Sequence, residues 1–238
     1  MNPLPPGSSI LVLTGAGISA DSGLQTFRDG RGLWENYRIE DVATLEAFDR
    51  DPSLVHGFYN ERRRQLETVA PNPAHHALAR LEQAWPGPVL IVTQNVDDLH
   101  ERAGTQALIH MHGELTKARC LTCGTVSAWT GDLQISDSCP RCRSRWCLRP
   151  HIVWFGETPL DLERVYAAVQ ACSLFAAIGT SGEVYPAGGL VTFAKNALHS
   201  VELNLQPNAG SGRFKEQRVG RASEIVPRWV DALLSQGC

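Results

Sequence analysis

The chain has 238 residues, 43% hydrophobic and 20% charged, which fits a soluble globular protein with one full α/β unit and room for a small insert. A formal charge of -3 supplies no general attraction to nucleic acid or anionic lipid, the Arg62-Arg63-Arg64 run being a local exception. The first residues lack the basic and apolar blocks of a signal peptide, and no apolar run approaches membrane-spanning length, so a cytoplasmic protein without membrane or nucleic-acid partners is expected.

Ile10 to Thr14 has the β-branched, apolar character of a buried parallel strand. It opens into Gly15-Ala16-Gly17-Ile18-Ser19-Ala20, which satisfies the G-x-G-x-x-G/A pattern of a strand-to-helix turn. Any Cβ at such glycines would hold the backbone off a diphosphate, and amide N–H groups beyond the turn attract the anion. An ordinary dinucleotide-binding fold then places an acidic residue about 20 residues on, at the end of a second strand. Here that region, Asp29 to Asn36, is glycine-rich and not strand-like, so the nicotinamide half is expected to be handled differently from a dehydrogenase.

Asp41 to Phe48 and Pro52 to Glu67 read as helices, the second with Leu54, Val55, Phe58 and Leu66 set against a polar face. Asn72-Pro73 is an N-cap followed by proline in the first turn, opening a helix that Pro86-Gly87 ends. Val89 to Thr93 is a second buried strand that runs into Gln94-Asn95-Val96-Asp97. Leu174 to Ile178 is a third, ending in Gly179-Thr180-Ser181-Gly182, and Val201 to Leu205 a fourth, followed by Gln206. Pro186 to Leu198 and Pro227 to Leu234 suit helices. The alternation argues for a Rossmann-like parallel sheet with helices on both faces, and polar clusters at four strand ends would gather on one edge.

Residues 118 to 148 break that rhythm. Cys120, Cys123, Cys139 and Cys142 form C-x2-C-x15-C-x2-C, two knuckles spaced to close a tetrahedron of thiolates around one structural Zn2+ with no open position. Cys147, five residues past the last knuckle, reads as an ordinary thiol able to compete in a misassembled site, and Cys172 as core. Seven cysteines make an odd framework for a secreted disulfide protein. Residues 1-35, 72-117 and 149-238 would form the nucleotide-binding domain, and 36-71 with 118-148 a small helical and zinc-binding one.

The string Gly-Ala-Gly-Ile-Ser-x-x-Ser-Gly-x-x-x-Phe-Arg resembles the signature of the sirtuins, NAD-dependent protein lysine deacylases. Thr93 to His100, Ile109 to Glu114, Gly179 to Ser181 and Asn204 extend the resemblance in the same order, toward its bacterial desuccinylase-type members. It implies NAD as co-substrate, acylated lysine side chains as substrate, and O-acyl-ADP-ribose with nicotinamide as products. It also implies that His112 is the catalytic base that activates a ribose hydroxyl, with His110 a hydrogen-bonded structural histidine facing the other way. Asn95 and Asp97 would position ribose and carboxamide, Phe27 would cover the ribose face, and Arg28 would meet phosphate or the departing nicotinamide.

Gly15, Ala16, Gly17, Trp34, Gln94, Val96, Gly179, Thr180, Ser181, Asn204, Gln206 and Ala222 complete the implied nucleotide site, the last two by position alone. Val153, Phe155 and Gly156 belong to an extended segment that would pair with substrate backbone. Tyr59 and Arg62, at i and i+3 of one helix, share a face on which a phenol and a guanidinium can bind an acyl carboxylate. Ala43 matches a small residue that widens the acyl pocket, while Leu45 stands where the family often has proline. An NAD- or ADP-ribose-binding regulatory module and a protein ADP-ribosyltransferase are the alternative functions. A base beside the ribose separates the first from a deacylase.

Overall fold

The computed structural model describes residues 4–25, the backbone of 33–34, and residues 37–208 and 210–235. In chain order the elements begin with β1 (Ile10–Thr14), two single-turn 3-10 helices, β2 (Leu33–Trp34), β3 (Tyr37–Arg38), α1 (Ile39–Val42), α2 (Leu45–Arg50), α3 (Pro52–Thr68) and α4 (Pro73–Ala84). Next come β4 (Val89–Thr93), α5 (Leu99–Arg102), β5 (Leu108–His110), β6 (Gly113–Cys120), β7 (Val126–Ala128) and β8 (Leu148–Ile152). The chain closes with α6 (Leu162–Ala171), β9 (Leu174–Ile178), a 3-10 helix over Ala187–Phe193, β10 (His199–Asn204), β11 (Glu216–Val219) and α7 (Ala222–Leu234).

The main sheet has six strands in the order β11-β10-β9-β1-β4-β5, every neighbour pairing parallel. β1 lies inside it, buried along its whole length, because its side chains alternate between two apolar layers. Ile10 and Val12 pack with Leu78 and Leu81 of α4 and Val226 and Trp229 of α7, while Leu11 and Leu13 pack with Val165 and Val169 of α6 and with Leu190. A sheet covered on both faces favours apolar runs over alternating ones, which is how β1, β4 and β9 read in the sequence.

Some elements depart from their sequence expectation. The helix expected over Asp41 to Phe48 is two short helices, broken at Ala43-Thr44, where the Thr44 hydroxyl caps α2 by accepting from Ala47 N at 3.0 Å. That cap starts α2 at Leu45 without the proline the family often has there. The segment after Pro186 coils as a 3-10 helix, with Gly188 in a tight backbone contact: a Cβ on it would lie 2.1 Å from Gly182 O. α7 begins at Ala222, ahead of Pro227, which sits inside the helix. β11 has a half-exposed sequence without apolar periodicity and is visible only through its pairing with β10.

A second, antiparallel sheet, β7-β6-β8, joins the paired cysteines to the large sheet's edge. α1 to α3 close over it, Phe58, Tyr59 and Leu66 packing with Leu115, Ile152 and Trp154. β6 starts at Gly113 with φ +85, where a Cβ would lie 2.0 Å from His151 O. Only glycine fits that conformation and that approach. Gly113→Ala is therefore expected to destabilise the fold by at least about 1 kcal/mol, in the range of strained-backbone substitutions. A urea midpoint equal to wild type would contradict this.

Candidate active site

Gly15 N donates to Ile178 O at 3.0 Å and Gly17 N to Gly179 O at 2.8 Å, so the β1 turn and the β9 turn lie backbone against backbone. A Cβ on Gly17 would stand 2.7 Å from Gly179 Cα, and one on Gly179 2.4 Å from Ile18 N. The result is a floor without side chains at the ends of two central strands. Gln94 ties the next strand end to it, donating from Nε2 to Thr180 Oγ1 at 3.0 Å.

Above this floor opens a cleft of about 1010 Å³. Gly15, Ala16, Gly17, Gln94, Asn95, Val96, Asp97, His112, Gly179, Thr180, Ser181 and Gln206 line it. So do Ala43, Tyr59, Arg62, Val153, Phe155 and Gly156. Strand ends of the large sheet supply one wall, and α3 with the segment after β8 supplies the other. Two expected nucleotide residues are not among those that line it. Asn204 is buried and donates from Nδ2 to Thr180 O at 2.7 Å, and Ala222 packs in the core at the start of α7. Phe27 and Arg28 lie outside the described residues, as does the side chain of Trp34.

Ser19 links the two polar residues after β4. Its hydroxyl donates to Asp97 Oδ2 at 3.0 Å and accepts from Asn95 Nδ2 at 3.1 Å. His75 stands behind it: Asn72 N donates to His75 Nδ1 at 3.3 Å, which puts the ring proton on Nε2, 3.5 Å from Ser19 Oγ. Burial pushes His75 down to about 4, so the ring is neutral and the direction of the chain from Asn72 to Asp97 is set. Burial also pushes the Asp97 carboxyl up to about 6, opposed by the hydrogen bonds from Leu99 N and Ser19. Ser19 stands in the glycine signature, but only the fold shows it bridging Asn95 and Asp97. Asn208, which holds Thr180 O from a loop, carries no pattern that sequence reasoning could use.

The two histidines near the end of β5 differ in what their nitrogens face. His110 has an acceptor on each side, Asn95 O at 3.1 Å from Nδ1 and Glu101 Oε1 at 2.7 Å from Nε2. Burial lowers its pKa, but the Glu101 hydrogen bond and charge outweigh that and hold it above 6.5. His112 lines the cleft and donates from Nδ1 to Gln94 O at 3.1 Å, since a carbonyl can only accept. Its Nε2 therefore carries the lone pair, and burial holds the pKa below 6.5. One ring has an acceptor on each nitrogen and holds its proton more readily than a free imidazole, and the other is a neutral base.

Arg62 and Tyr59 are buried in the α3 wall. The Arg62 guanidinium donates to Phe58 O at 2.7 Å and lies 3.3 Å from the centre of the Phe58 ring. Trp154 Nε1 donates to the Tyr59 oxygen at 2.9 Å. Both side chains face the cleft lined by Ala43, so the i, i+3 spacing brings a phenol and a cation to one wall. The expected extended segment holds Val153 N on His112 O at 2.9 Å and Phe155 N on Ala43 O at 3.0 Å.

Away from the cleft, the sulfurs of Cys120, Cys123, Cys139 and Cys142 all lie within 4.8 Å of one another. Four thiols in that cluster fit a tetrahedral Zn–S set with Zn–S near 2.3 Å, and zinc is the metal such a donor set holds. A closed thiolate cage offers no site for substrate, so the metal there is structural.

A glycine floor at the C-terminal ends of a parallel sheet, a buried neutral imidazole beside it and a separate four-thiol cage define a nucleotide-binding α/β protein with a structural zinc module. The Sir2 family model matches residues 15–186, and the chain belongs to that family. It is 55% identical over 228 residues to the NAD-dependent protein deacylase of Escherichia coli (strain K12), covering 94% of this chain and 82% of that one. It is 54% identical to the NAD-dependent protein deacylase of Vibrio parahaemolyticus serotype O3:K6, covering 97% of both chains. Among solved structures, a Sir2 homolog–NAD complex superposes with a TM-score of 0.87 at 35% identity, over 97% of this chain and 91% of that one. A Sir2–p53 peptide–NAD+ complex gives 0.80 at 27% identity, over 94% and 92%.

Two outcomes follow. Cys139→Ser removes a zinc ligand and is expected to lower both the metal content and the melting temperature; unchanged melting of zinc-free protein would contradict a structural role. A base with its pKa below 6.5 stays neutral as pH falls through that value, so the acid limb of kcat/KM is expected below pH 6.5. A limb at or above that pH would place the charge of His112 wrongly.

Proposed function

We propose that this Sir2-family protein is an NAD-dependent protein lysine deacylase that removes acetyl and succinyl groups, and malonyl by the same contacts, from acylated lysine side chains. The observation that carries the reading is the neutral His112 imidazole on the wall of a cleft whose floor is glycine backbone. A module that only binds ADP-ribose needs no such base. When bound, NAD supplies an electrophilic ribose carbon as nicotinamide departs. Gly15, Ala16, Gly17, Thr180 and Ser181 receive the diphosphate and adenosine ribose, while Asn95 and Asp97, tied through Ser19, orient the reacting ribose and carboxamide. His112 Nε2 takes the hydroxyl proton, and the Nδ1–H bond to Gln94 O stabilises the imidazolium that forms.

The acyl group is read on the opposite wall. Arg62 offers a planar guanidinium and Tyr59 a phenol in a pocket bounded by Ala43, and a buried cation there favours an anionic acyl chain over a neutral one. Val153, Phe155 and Gly156 form the rim on which substrate backbone lies. Gln206 and Val96 contact the nucleotide from the cleft edge, while Phe27 covers the ribose face, Arg28 meets phosphate or the departing nicotinamide, and Trp34 belongs to the nucleotide set. The same reading divides the chain into a discontinuous nucleotide-binding domain and a small helical and zinc-binding one. It takes the protein to be cytoplasmic, with no membrane or nucleic-acid partner. Among the described residues no helix is long and apolar enough to cross a membrane.

Nicotinamide release that depends on acyl-lysine peptide tests the deacylase reading directly; release at the same rate without peptide would refute it. His112→Ala is expected to slow product formation by roughly 10²–10⁴-fold in a folded protein, with His110→Ala milder. For acyl choice, Arg62→Met and Tyr59→Phe are expected to raise KM for a succinyl-lysine peptide by about ten- to a hundredfold, the loss of a charge-assisted hydrogen bond. KM for the acetyl-lysine peptide stays nearly unchanged. Equal losses on both peptides, or no wild-type activity on the succinyl one, would contradict the carboxylate role.

A further inference from the structure

Cys147 is a fifth thiol at the zinc module, placed where none of the metal chemistry uses it. Its sulfur lies 3.5 Å from Cys120 Sγ, closer than the 3.7 Å between Cys120 and Cys142 or the 3.8 Å between Cys123 and Cys139. It stands outside the group of four whose sulfurs are all within 4.8 Å of one another, so it is not one of the tetrahedral ligands. The backbone fixes the approach. Cys120 pairs with Leu148 across the antiparallel β6 and β8, and Leu121 N donates to Cys147 O at 2.7 Å. Arg143 and Trp146, both in the left-handed region at φ 64 and φ 61, turn the intervening loop back onto the strand.

We propose that Cys142, Cys120 and Cys147 form a relay in which Cys147 is the final thiol, so that peroxide oxidation of the zinc cage ends in one reversible 120–147 disulfide. Cys142 is exposed, whereas Cys120 and Cys147 are buried, so a hydroperoxide meets Cys142 first. The Cys142 thiolate attacks the peroxide oxygen, giving a sulfenic acid and water or an alcohol. Cys120 attacks that sulfur across 3.7 Å, forming the 120–142 disulfide and releasing water. The Cys147 thiolate then attacks Cys120 Sγ across 3.5 Å, and the Cys142 thiolate leaves. In sum two thiols lose two electrons and two protons, and the peroxide is reduced. Cys120 is thereby withdrawn from the metal, which is left with Cys123, Cys139 and Cys142, and zinc is released.

The end state matters because β6 has Cys120 at one end and Gly113, next to His112, at the other. Withdrawing Cys120 loosens the strand that begins next to the base. The thiol chemistry itself does not depend on which acyl group the cleft accepts, or on whether it accepts one.

The test uses the zinc-loaded full chain, treated with hydrogen peroxide, with zinc release followed by a chromogenic chelator and cross-links by peptide mass spectrometry. The wild type is expected to show a 120–147 cross-linked pair about 2 Da lighter than the two thiol peptides, one zinc released per cross-link, and full metal uptake after reduction with added zinc. Cys147→Ser keeps all four ligands and is expected to bind zinc normally. Under peroxide it should instead stop at the 120–142 disulfide, the step before Cys147 acts. Wild-type cross-links confined to the four ligands, or a Cys147→Ser protein that forms no 120–142 cross-link, would overturn the proposal.

Discussion

The cleft depends on one steric constraint, the direct contact of the β1 turn with the β9 turn. Gly17 N reaches Gly179 O at 2.8 Å because neither residue has a side chain, and any Cβ there would sit inside the van der Waals radius of the other turn. Two neighbouring parallel strands thus end at a shared floor of peptide groups, and the β4 end is stitched to it by Gln94. The polar residues after β4, Asn95 and Asp97, stand at fixed height above that floor. This geometry leaves peptide backbone that no side chain covers at the ends of both strands, where an anion can approach closely.

The second organising element is β6. It leaves the site at Gly113, whose left-handed conformation turns the chain sharply after His112, and ends at Cys120 in the zinc cage. α3 lies across the same sheet and uses two faces. Tyr59 and Arg62 look into the cleft, while Asn60 holds Leu133 by two hydrogen bonds, at 3.0 and 2.8 Å, and Arg64 pairs with Asp132. Arg63 is buried between them, donating from Nε to Leu115 O on β6 at 2.7 Å. The Arg-Arg-Arg run is therefore not one solvated face: each arginine has a different neighbour, and the metal module, through α3, holds that wall of the cleft in place.

Much of this was legible in the sequence because it rests on local rules. Buried strands show as apolar runs, Asn72-Pro73 announces a helix start, the glycine turn and C-x-x-C knuckles have fixed spacing, and Tyr59 with Arg62 share a helix face whatever the fold. What was not legible depends on contacts between distant segments. Ser19 joins Asn95 and Asp97 only once β1 and β4 are neighbours, and β11 exists through its register with β10. Asn204, at the end of a strand like the others, is buried and holds Thr180 O, a contact no spacing announces. The break at Ala43-Thr44 likewise comes from Phe155 N taking the Ala43 carbonyl, a long-range bond.

His110 and His112, two residues apart, show how the fold assigns opposite chemistry to the same side chain. The difference lies in the partner of the second ring nitrogen: Glu101 for His110, the cleft for His112. The most direct measurement is the protonation and tautomer of each imidazole, read from ring-nitrogen NMR shifts of the ligand-free protein at neutral pH. The account predicts His112 neutral with its proton on Nδ1, and His110 protonated on both nitrogens. A His112 ring that is charged, or neutral with the proton on Nε2, would contradict it.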